Sequence, residues 1–375
     1  MRGMAGALCP RRFRECLGGA VAVALATSCG AVTAPRPNVA SCAAGWTAIT
    51  PLDDDILATP KAMVFQDGVL YLASLAGVAA LSTDGGAMTI LVADKPVHGI
   101  WVEGDNVLYS HFDQLFAIPR AGGDVTVLLD GGGHNDPSTR PDGNDVVNDR
   151  QLLDSTAFYW TTRAYPYSTD GTHAWRMLRS GGAVEGFVPL PIQTVDGLAV
   201  GSEGVLATGQ STVLGGPYYR AYIAPLGHGP GRELSLSPPP DKIISAETGA
   251  LLASVYTGSR GGWNETHEVW SWPVDGSPGR PLAHNLPLEL LATWAVPDGR
   301  GGHLLGGVEI FDDDENHGSV FQVSGDGNAT RLACDASSNW PSFTAVAVAP
   351  DALYVSVRYD QPAFALVRIP RPPAE

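Results

Sequence analysis

The sequence predicts an all-β fold built from many short strands. Glycine and proline are frequent, at 45 and 29 of 375 residues, and they interrupt nearly every stretch long enough to form a helix. Short apolar runs alternate with Gly-rich turns, as in residues 103–129. The same pair of runs recurs roughly every 40 to 50 residues, which is typical of radially repeated sheets. These three observations favour a β-propeller.

Seven copies of one anchor strand define the repeat. One apolar residue near the start of each copy serves as its marker, and the intervals between markers are 38, 50, 47, 46, 53 and 49 residues. A further run precedes most anchors and two runs follow, so each repeat supplies four strands. A single four-stranded unit cannot bury both of its faces, so several units must pack around a ring. We therefore predict seven four-stranded blades, or six or eight if one weak repeat is miscounted. The markers are Tyr71, Tyr109, Tyr159, Leu206, Leu252, Leu305 and Tyr354.

The two ends of the chain are expected to share one blade. The last repeat stops at its third strand, residues 365–369, because the prolines of the following segment 370–373 resist further pairing. The missing outer strand is available in residues 46–52, which precede the first inner strand at 62–66. The sequence therefore predicts a ring closed by pairing of the N-terminal strand within the last blade, and a propeller domain spanning residues 45–375.

Residues 1–28 have the composition of an export signal. An Arg-rich stretch precedes the apolar run 17–27, which is too short to span a bilayer. The run ends in LATSC, which resembles a bacterial lipoprotein signal with Cys29 as the lipidated residue. We predict a lipoprotein-type signal peptide, a tether over residues 29–44 and a location in the bacterial cell envelope, with plain secretion as the alternative.

Charge and the remaining cysteines fit an exported protein. The formal net charge is −16 at pH 7, which disfavours nucleic acid and anionic lipid surfaces as partners. We expect a monomer that contacts the membrane through its lipid anchor only. Cys42 and Cys334 remain outside the signal and the lipid site, and they are expected to form a disulfide that ties the N-terminal strand to the ring. Two free thiols are the alternative.

The connections of a propeller alternate between two faces. Turns within the first and last hairpins of each blade share one face, and here they are short and Gly-rich, as at Asp67-Gly68. Connections between second and third strands, and between blades, share the other face. They are long here, as in residues 130–148 and 257–267. We call these the short-turn face and the long-loop face. Since binding residues concentrate on loops carried by a rigid scaffold, we predict that the long-loop face is functional.

Aromatic residues in the long connections are the candidate ligand-binding residues. Exposed aromatic rings anchor protein interfaces and also stack on sugar faces, so the expected ligand is a protein or a glycan. The alternative is that some of these rings cover the sheets. The candidates are Tyr165, Tyr167, Tyr218, Tyr219, Trp263 and Trp340.

Histidines and carboxylates on the same face are candidate metal ligands. Imidazoles assigned to second-to-third-strand loops of different blades could bind a transition metal, and acidic side chains could bind calcium. Neither the histidines nor the carboxylates have the close spacing of a metal site, so the favoured alternative is that they are scattered polar loop residues. No other cofactor is expected. The candidates are His111, His173, His267, His317, Asp312 and Asp314.

One segment resembles a known propeller repeat. Residues 158–182, FYWTTRAYPYSTDGTHAWRMLRSGG, resemble the YWTD repeat of LDL-receptor-type propellers, and residues 108–123 are a looser copy. The blade pattern is also similar to TolB-like and NHL-like propellers, and the whole chain resembles bacterial secreted propeller lipoproteins. The resemblance implies the fold and a binding role.

The functional expectation is a non-catalytic binding protein of the cell envelope. The sequence contains no GxSxG, HExxH, CxxC, CxxCH or GxxxxGK motif of the common enzyme classes. The alternative is a metal-assisted polysaccharide lyase or hydrolase, because oligogalacturonate-lyase-type propellers hold a metal through histidines on one face.

Overall fold

The computed structural model describes most of the chain between residues 47 and 373, all within the unit formed by residues 38–375. No helix in this part of the chain is long and apolar enough to cross a membrane. The described residues are 47–51, 60–85, 88–132, 146–164, 172–187, 190, 192–211, 219–226, 229, 231–246, 249–257, 267–283, 285–287, 290–310, 316–335, 342–358 and 364–373.

The described residues form seven antiparallel sheets of four strands, the blades of a β-propeller. Blade 1 contains β2 (Ala62–Gln66), β3 (Val69–Ser74), β4 (Gly77–Ser82) and β5 (Thr89–Ala93). Blade 2 contains β6 (Gly99–Glu103), β7 (Asn106–His111), β8 (Gln114–Pro119) and β9 (Thr126–Asp130). Blade 3 contains β10 (Val146–Leu153), β11 (Ala157–Ala164), β12 (Thr172–Leu178) and β13 (Glu185–Gly186).

The second half of the ring repeats this arrangement. Blade 4 contains β14 (Ile192–Gly201), β15 (Gly204–Ser211), β16 (Tyr219–Ala224) and β17 (Arg232–Glu233). Blade 5 contains β18 (Lys242–Ala246), β19 (Ala250–Tyr256), β20 (His267–Pro273) and β21 (Arg280–Pro281). Blade 6 contains β22 (Leu290–Pro297), β23 (His303–Ile310), β24 (Asn316–Val323) and β25 (Ala329–Asp335). Every marker residue of the sequence repeat lies in the second strand of a different blade, which confirms the predicted count of seven.

The last blade joins the two ends of the described chain. It contains β26 (Ser342–Val348), β27 (Ala352–Arg358), β28 (Phe364–Pro370) and, as its outer strand, β1 (Thr47–Pro51). β1 runs antiparallel to β28, with Thr47 opposite Arg368 and Pro51 opposite Ala365. The predicted closure is confirmed, and it leaves no gap in the ring.

The hydrophobic core lies between neighbouring blades, and β3 shows how the sequence builds it. Leu70 and Leu72 pack toward blade 7, in a cluster with Tyr354. Tyr71 points the opposite way and packs with Tyr109 of blade 2. Successive side chains of a strand point to opposite faces, so a blade with a neighbour on each side needs apolar residues at every position. This explains why the second strands are continuous apolar runs.

Arginines link neighbouring blades on the short-turn face. Arg120 follows β8 in blade 2 and donates to the Asp67 carboxylate and the Tyr71 hydroxyl of blade 1, both at 2.8 Å. The bond from Arg120 holds the pKa of Asp67 below its usual value. Arg179, after β12 in blade 3, makes the equivalent ion pair with Glu103 of blade 2. Arg120 and Arg179, each of which precedes a Gly-rich turn, therefore have a structural role.

Two further arginines on the short-turn face join the last blade to blade 6. Arg300, in the turn between β22 and β23, donates to the carbonyl oxygens of Pro350 and Pro372, each at 2.7 Å. Arg371 is buried and donates to the carbonyl oxygens of Ala349 and Asp298. Blades 6 and 7 are thus joined where the chain ends.

Candidate functional site

The first strand of each blade is the innermost, since first strands of neighbouring blades pack against one another at β2–β6, β2–β26, β10–β14, β14–β18 and β18–β22. These innermost strands begin on the long-loop face and run away from it. Residues at their N-terminal ends therefore surround the mouth of the ring on that face. This is the position in which a ligand could touch several blades at once.

Many of the predicted site residues lie outside the described residues, so their predicted roles remain predictions. One aromatic candidate is described. Tyr219 begins β16, is half-buried, and packs against the apolar cluster between blades 4 and 5. Its ring therefore covers part of the core. The predicted residues outside the described part are Tyr165, Tyr167, Tyr218, Trp263, Trp340, Asp312, Asp314, Cys29 and Cys42.

The four candidate histidines lie in strands, and the prediction that they lie in loops is wrong. His111 ends β7, His173 is the second residue of β12, His267 begins β20 and His317 is the second residue of β24. Most second and third strands extend further toward the long-loop face than the polar sequence suggests, as in β11 and β23. Within the described chain, no three His, Cys, Asp or Glu side chains come together in a way that could hold a metal ion.

Two of these histidines are buried in their blades. His267 is 8% exposed, with Nδ1 3.4 Å from the Ser254 hydroxyl and its ring edge-on to Tyr256. His317 is 2% exposed and lies opposite Glu309 in the β23–β24 ladder. Both positions favour packing over contact with a ligand.

Blade 6 contains a buried carboxylate. Glu309 is 1% exposed, accepts a hydrogen bond from the Ser319 hydroxyl and forms an ion pair with Arg331 of the outer strand β25. The Arg331 guanidinium also lies over the Phe321 ring, 5.3 Å from its centroid. This network joins the second, third and fourth strands of the blade beneath the long-loop face.

Cys334 lies near the end of β25 in the same blade. It is buried and disulfide-bonded. Its predicted partner, Cys42, lies outside the described residues, so this pairing stays a prediction.

The sequence did not predict a cluster of three rings at the tight turn between β7 and β8. The ring of Phe112 lies 4.4 Å from that of His111 and 5.3 Å from that of His98, measured between centroids. His111 Nδ1 is 2.7 Å from the carbonyl oxygen of Pro96, in the connection from blade 1. Phe112 has φ of 51°, an uncommon conformation for a side chain of this size. Tertiary contacts must hold such a turn in place.

Blade 3 supplies that support. The Gln151 side chain on β10 donates to the Phe112 carbonyl oxygen at 2.6 Å and accepts a hydrogen bond from the Ser110 hydroxyl. One amide therefore fixes both the end of β7 and the turn that follows. The His-Phe-Asp turn without glycine was the available sequence signal, but nothing in the sequence connects Gln151 to it.

A second histidine, His98, lies beside this turn. His98 precedes β6, and its Nε2 is buried with no hydrogen-bond partner among the described residues. Burial, together with the smaller effects of the neighbouring His111 and Lys61, lowers the pKa of His98 to about 4. Arg150 lies exposed on β10.

The opposite part of the mouth has mixed charge. Lys242 begins β18 in blade 5 and is half-buried, so desolvation lowers its pKa, while Asp196 of blade 4 acts in the other direction. Asp196 occupies a bulge in β14, where the register shifts between Val195 and Gly197. Asp196 therefore favours the charged form of Lys242.

The fold is that of a seven-bladed β-propeller. The chain is similar to the WD40 domain of Pan2 from Neurospora crassa, with a TM-score of 0.52 and 9% identity over 88% of this chain and 96% of that chain. It is also similar to YCF48 bound to D1 peptide, with a TM-score of 0.53 and 14% identity over 88% and 98% of the two chains. No protein-family model and no curated protein sequence matches the chain. At these identities the likeness shows the fold alone.

Proposed function

We propose that this protein is a non-catalytic binding protein that holds a protein ligand on its long-loop face. The observation that carries this proposal is the contrast between the two faces of one rigid ring. On the short-turn face, arginines such as Arg120, Arg300 and Arg371 are engaged in bonds between blades. On the long-loop face, Lys61 is exposed, and Gln151 of blade 3 holds the turn at Phe112 in place.

A fixed scaffold with exposed charged groups suits recognition. Pre-organised groups bind with less loss of conformational freedom than mobile ones, so more of the contact energy appears as affinity. The similar structures support a protein ligand, because YCF48 is described as bound to D1 peptide and Pan2 contributes a WD40 domain. We favour a protein over a glycan for this reason.

The aromatic residues of the long connections provide the test. Replacing Trp263 and Tyr167 with alanine should weaken capture of the protein ligand from envelope extract by at least about tenfold, because aromatic side chains dominate binding energy in interfaces. The midpoint of thermal unfolding should stay nearly unchanged. Quantitative pull-down with tagged full-length protein measures the capture. Tyr219 is left intact because it packs on the core.

The control is Leu178→Ala, which removes an apolar side chain that is 40% exposed at the end of β12 on the short-turn face. This variant should capture the ligand as the wild type does. Equal capture by wild type and the Trp263/Tyr167 variant, or equal loss in the control, would contradict the proposal.

We also propose that the protein is exported and tethered. Residues 1–28 act as a lipoprotein-type signal peptide, Cys29 carries the lipid, and residues 29–44 form the tether. Cys42 and Cys334 form a disulfide beside the closing strand. Mass spectrometry of protein expressed in bacteria with its whole N-terminus should find a lipid on Cys29 and a peptide pair linked through Cys42 and Cys334. A retained N-terminal segment would refute the export proposal.

A further inference from the structure

The turn between β7 and β8 is held in a strained conformation by its neighbours. Phe112 has φ of 51°, in the left-handed region, where a bulky side chain is unfavourable. Gln151 of blade 3 donates to the Phe112 carbonyl oxygen at 2.6 Å. On the other side, the Gly131 amide donates to the Asp113 carbonyl oxygen at 3.2 Å. Loss of these contacts would let Phe112 relax, so a released conformation of the turn is available.

The Phe112 ring packs against two imidazoles. Its centroid lies 4.4 Å from that of His111 and 5.3 Å from that of His98. His111 Nδ1 is 2.7 Å from the carbonyl oxygen of Pro96. His98 differs, because its Nε2 is buried and has no hydrogen-bond partner in the described part of the chain. The closed turn therefore packs against an imidazole that has one unsatisfied nitrogen.

Protonation of His98 disagrees with this arrangement. An imidazolium donates from both ring nitrogens, so Nε2 would become a buried N–H group with no acceptor among the described residues. Burial is accordingly the largest of the causes that lower the pKa of His98 from 6.5 to about 4. The closed turn therefore favours the neutral ring.

Charged groups lie on the elements around His98. Lys61 precedes β2 and His111 ends β7, and both make smaller contributions that lower the pKa of His98. Asp113 lies in the turn itself and is 2% exposed. Arg150 is exposed on β10, the innermost strand of blade 3. Because burial has the largest effect, the preference for a neutral His98 does not require a particular balance among these charges.

We propose that the turn between β7 and β8 is an acid-sensitive switch at the mouth of the ring, in which protonation of His98 releases the turn and deprotonation closes it again. In the released state, water solvates the charged imidazole and Phe112 leaves its strained conformation. This inference goes beyond the proposed function, and it holds whether or not the long-loop face binds a ligand.

The direction of the pH effect follows from proton linkage. In the released turn His98 has the ordinary pKa of 6.5, and in the closed turn its pKa is about 4. The released form therefore binds the proton more tightly, so acid favours release, beginning near pH 6.5 and ending near pH 4. Between pH 7 and pH 5 the equilibrium constant for release rises about twentyfold.

Hydrogen exchange of single amides, followed by NMR on the full-length protein, tests the proposal. The Gly131 amide reports on the turn, because it donates to the Asp113 carbonyl oxygen. Its protection factor, which corrects for the intrinsic pH dependence of exchange, should fall about twentyfold between pH 7 and pH 5. The Leu282 amide, which donates to the Val269 carbonyl oxygen in blade 5, should keep its protection.

Three variants separate His98 from general acid sensitivity. His98→Phe keeps a ring in the cluster but takes up no proton, so the Gly131 amide should be equally protected at both pH values. His303→Gln, which removes a histidine from β23 in blade 6, should retain the wild-type fall. Gln151→Ala removes the bond to the Phe112 carbonyl oxygen, so it should lower the protection at both pH values by at least about fivefold.

Equal protection of the wild-type Gly131 amide at both pH values would overturn the inference. An equal fall at Leu282 would also overturn it, because that result indicates loss of stability throughout the ring. The same fall in His98→Phe as in the wild type would assign the effect to another group. If His98→Phe does not fold, the wild-type imidazole signals decide, since His98 must titrate over the pH range in which Gly131 loses protection. Titration of His98 in a different range contradicts the switch.

Discussion

Replacing Arg331 with methionine should lower the free energy of unfolding by about 3–5 kcal/mol, the usual result of removing one partner from a buried ion pair. Glu309 would keep its bond from Ser319 but lose its counter-charge while remaining 1% exposed. Methionine retains apolar contact with Phe321, so the change isolates the lost charge. Urea unfolding followed by tryptophan fluorescence measures the effect.

The control is the Glu309→Gln/Arg331→Met double variant, which removes both charges. It should recover most of the lost stability, since a neutral amide is far less costly to bury than an unpaired carboxylate. A loss of less than about 1 kcal/mol in Arg331→Met, the range of exposed surface pairs, would contradict the role assigned to this network.

Removing residues 1–51 should destabilise the ring by about 4 kcal/mol, at about 1 kcal/mol for each hydrogen bond lost with the closing strand. The deletion removes β1 and leaves β28 as an open edge in blade 7. It also removes Ile49, which packs against the cluster between blades 1 and 7. An unprotected edge strand pairs readily with other chains, so the truncated protein should also aggregate. Calorimetry and light scattering measure the two effects.

The matched control for this deletion lacks only residues 1–40. It retains Cys42 and β1, so it should unfold at nearly the temperature of the whole domain. If both truncations unfold at the same temperature, the closing strand contributes nothing to stability, and the account of ring closure fails.

The architecture could be predicted from the sequence because every blade repeats the same physical solution. Tyr71, Tyr109 and Tyr159 occupy equivalent second strands. A strand buried on both faces is a continuous apolar run, so the copies of this strand can be aligned with one another in the sequence. The ends were equally informative, since Pro370 stops the last repeat one strand short and residues 46–52 supply another. The repeat of the apolar second strand therefore predicted the fold.

The candidate site was harder to predict because it depends on contacts between blades. Gln151 supports a turn 39 residues away, at Phe112, and the sequence has no periodic signal for such a pair. His98 becomes notable only when His111 and Lys61 are placed beside it.

Glu309 illustrates a second reason why buried polar contacts are hard to predict from the sequence. It stands beside the acidic run 312–315, and its polar neighbours in the sequence predict a loop. The structure instead places Glu309 inside β23, buried against Ser319 and Arg331 of the neighbouring strands. Composition distinguishes polar from apolar residues, but it does not show which polar residue has a buried partner.

Site-specific photo-cross-linking tests the central claim, that the long-loop face binds the ligand, most directly. A benzophenone amino acid would replace Arg150 or Trp263 on the long-loop face, or Asp84 in the turn between β4 and β5 on the short-turn face, in cells that make the protein. We predict the same cross-linked protein adduct from positions 150 and 263 and none from position 84. Adducts from position 84 alone, or in equal amounts from all three positions, would contradict the account.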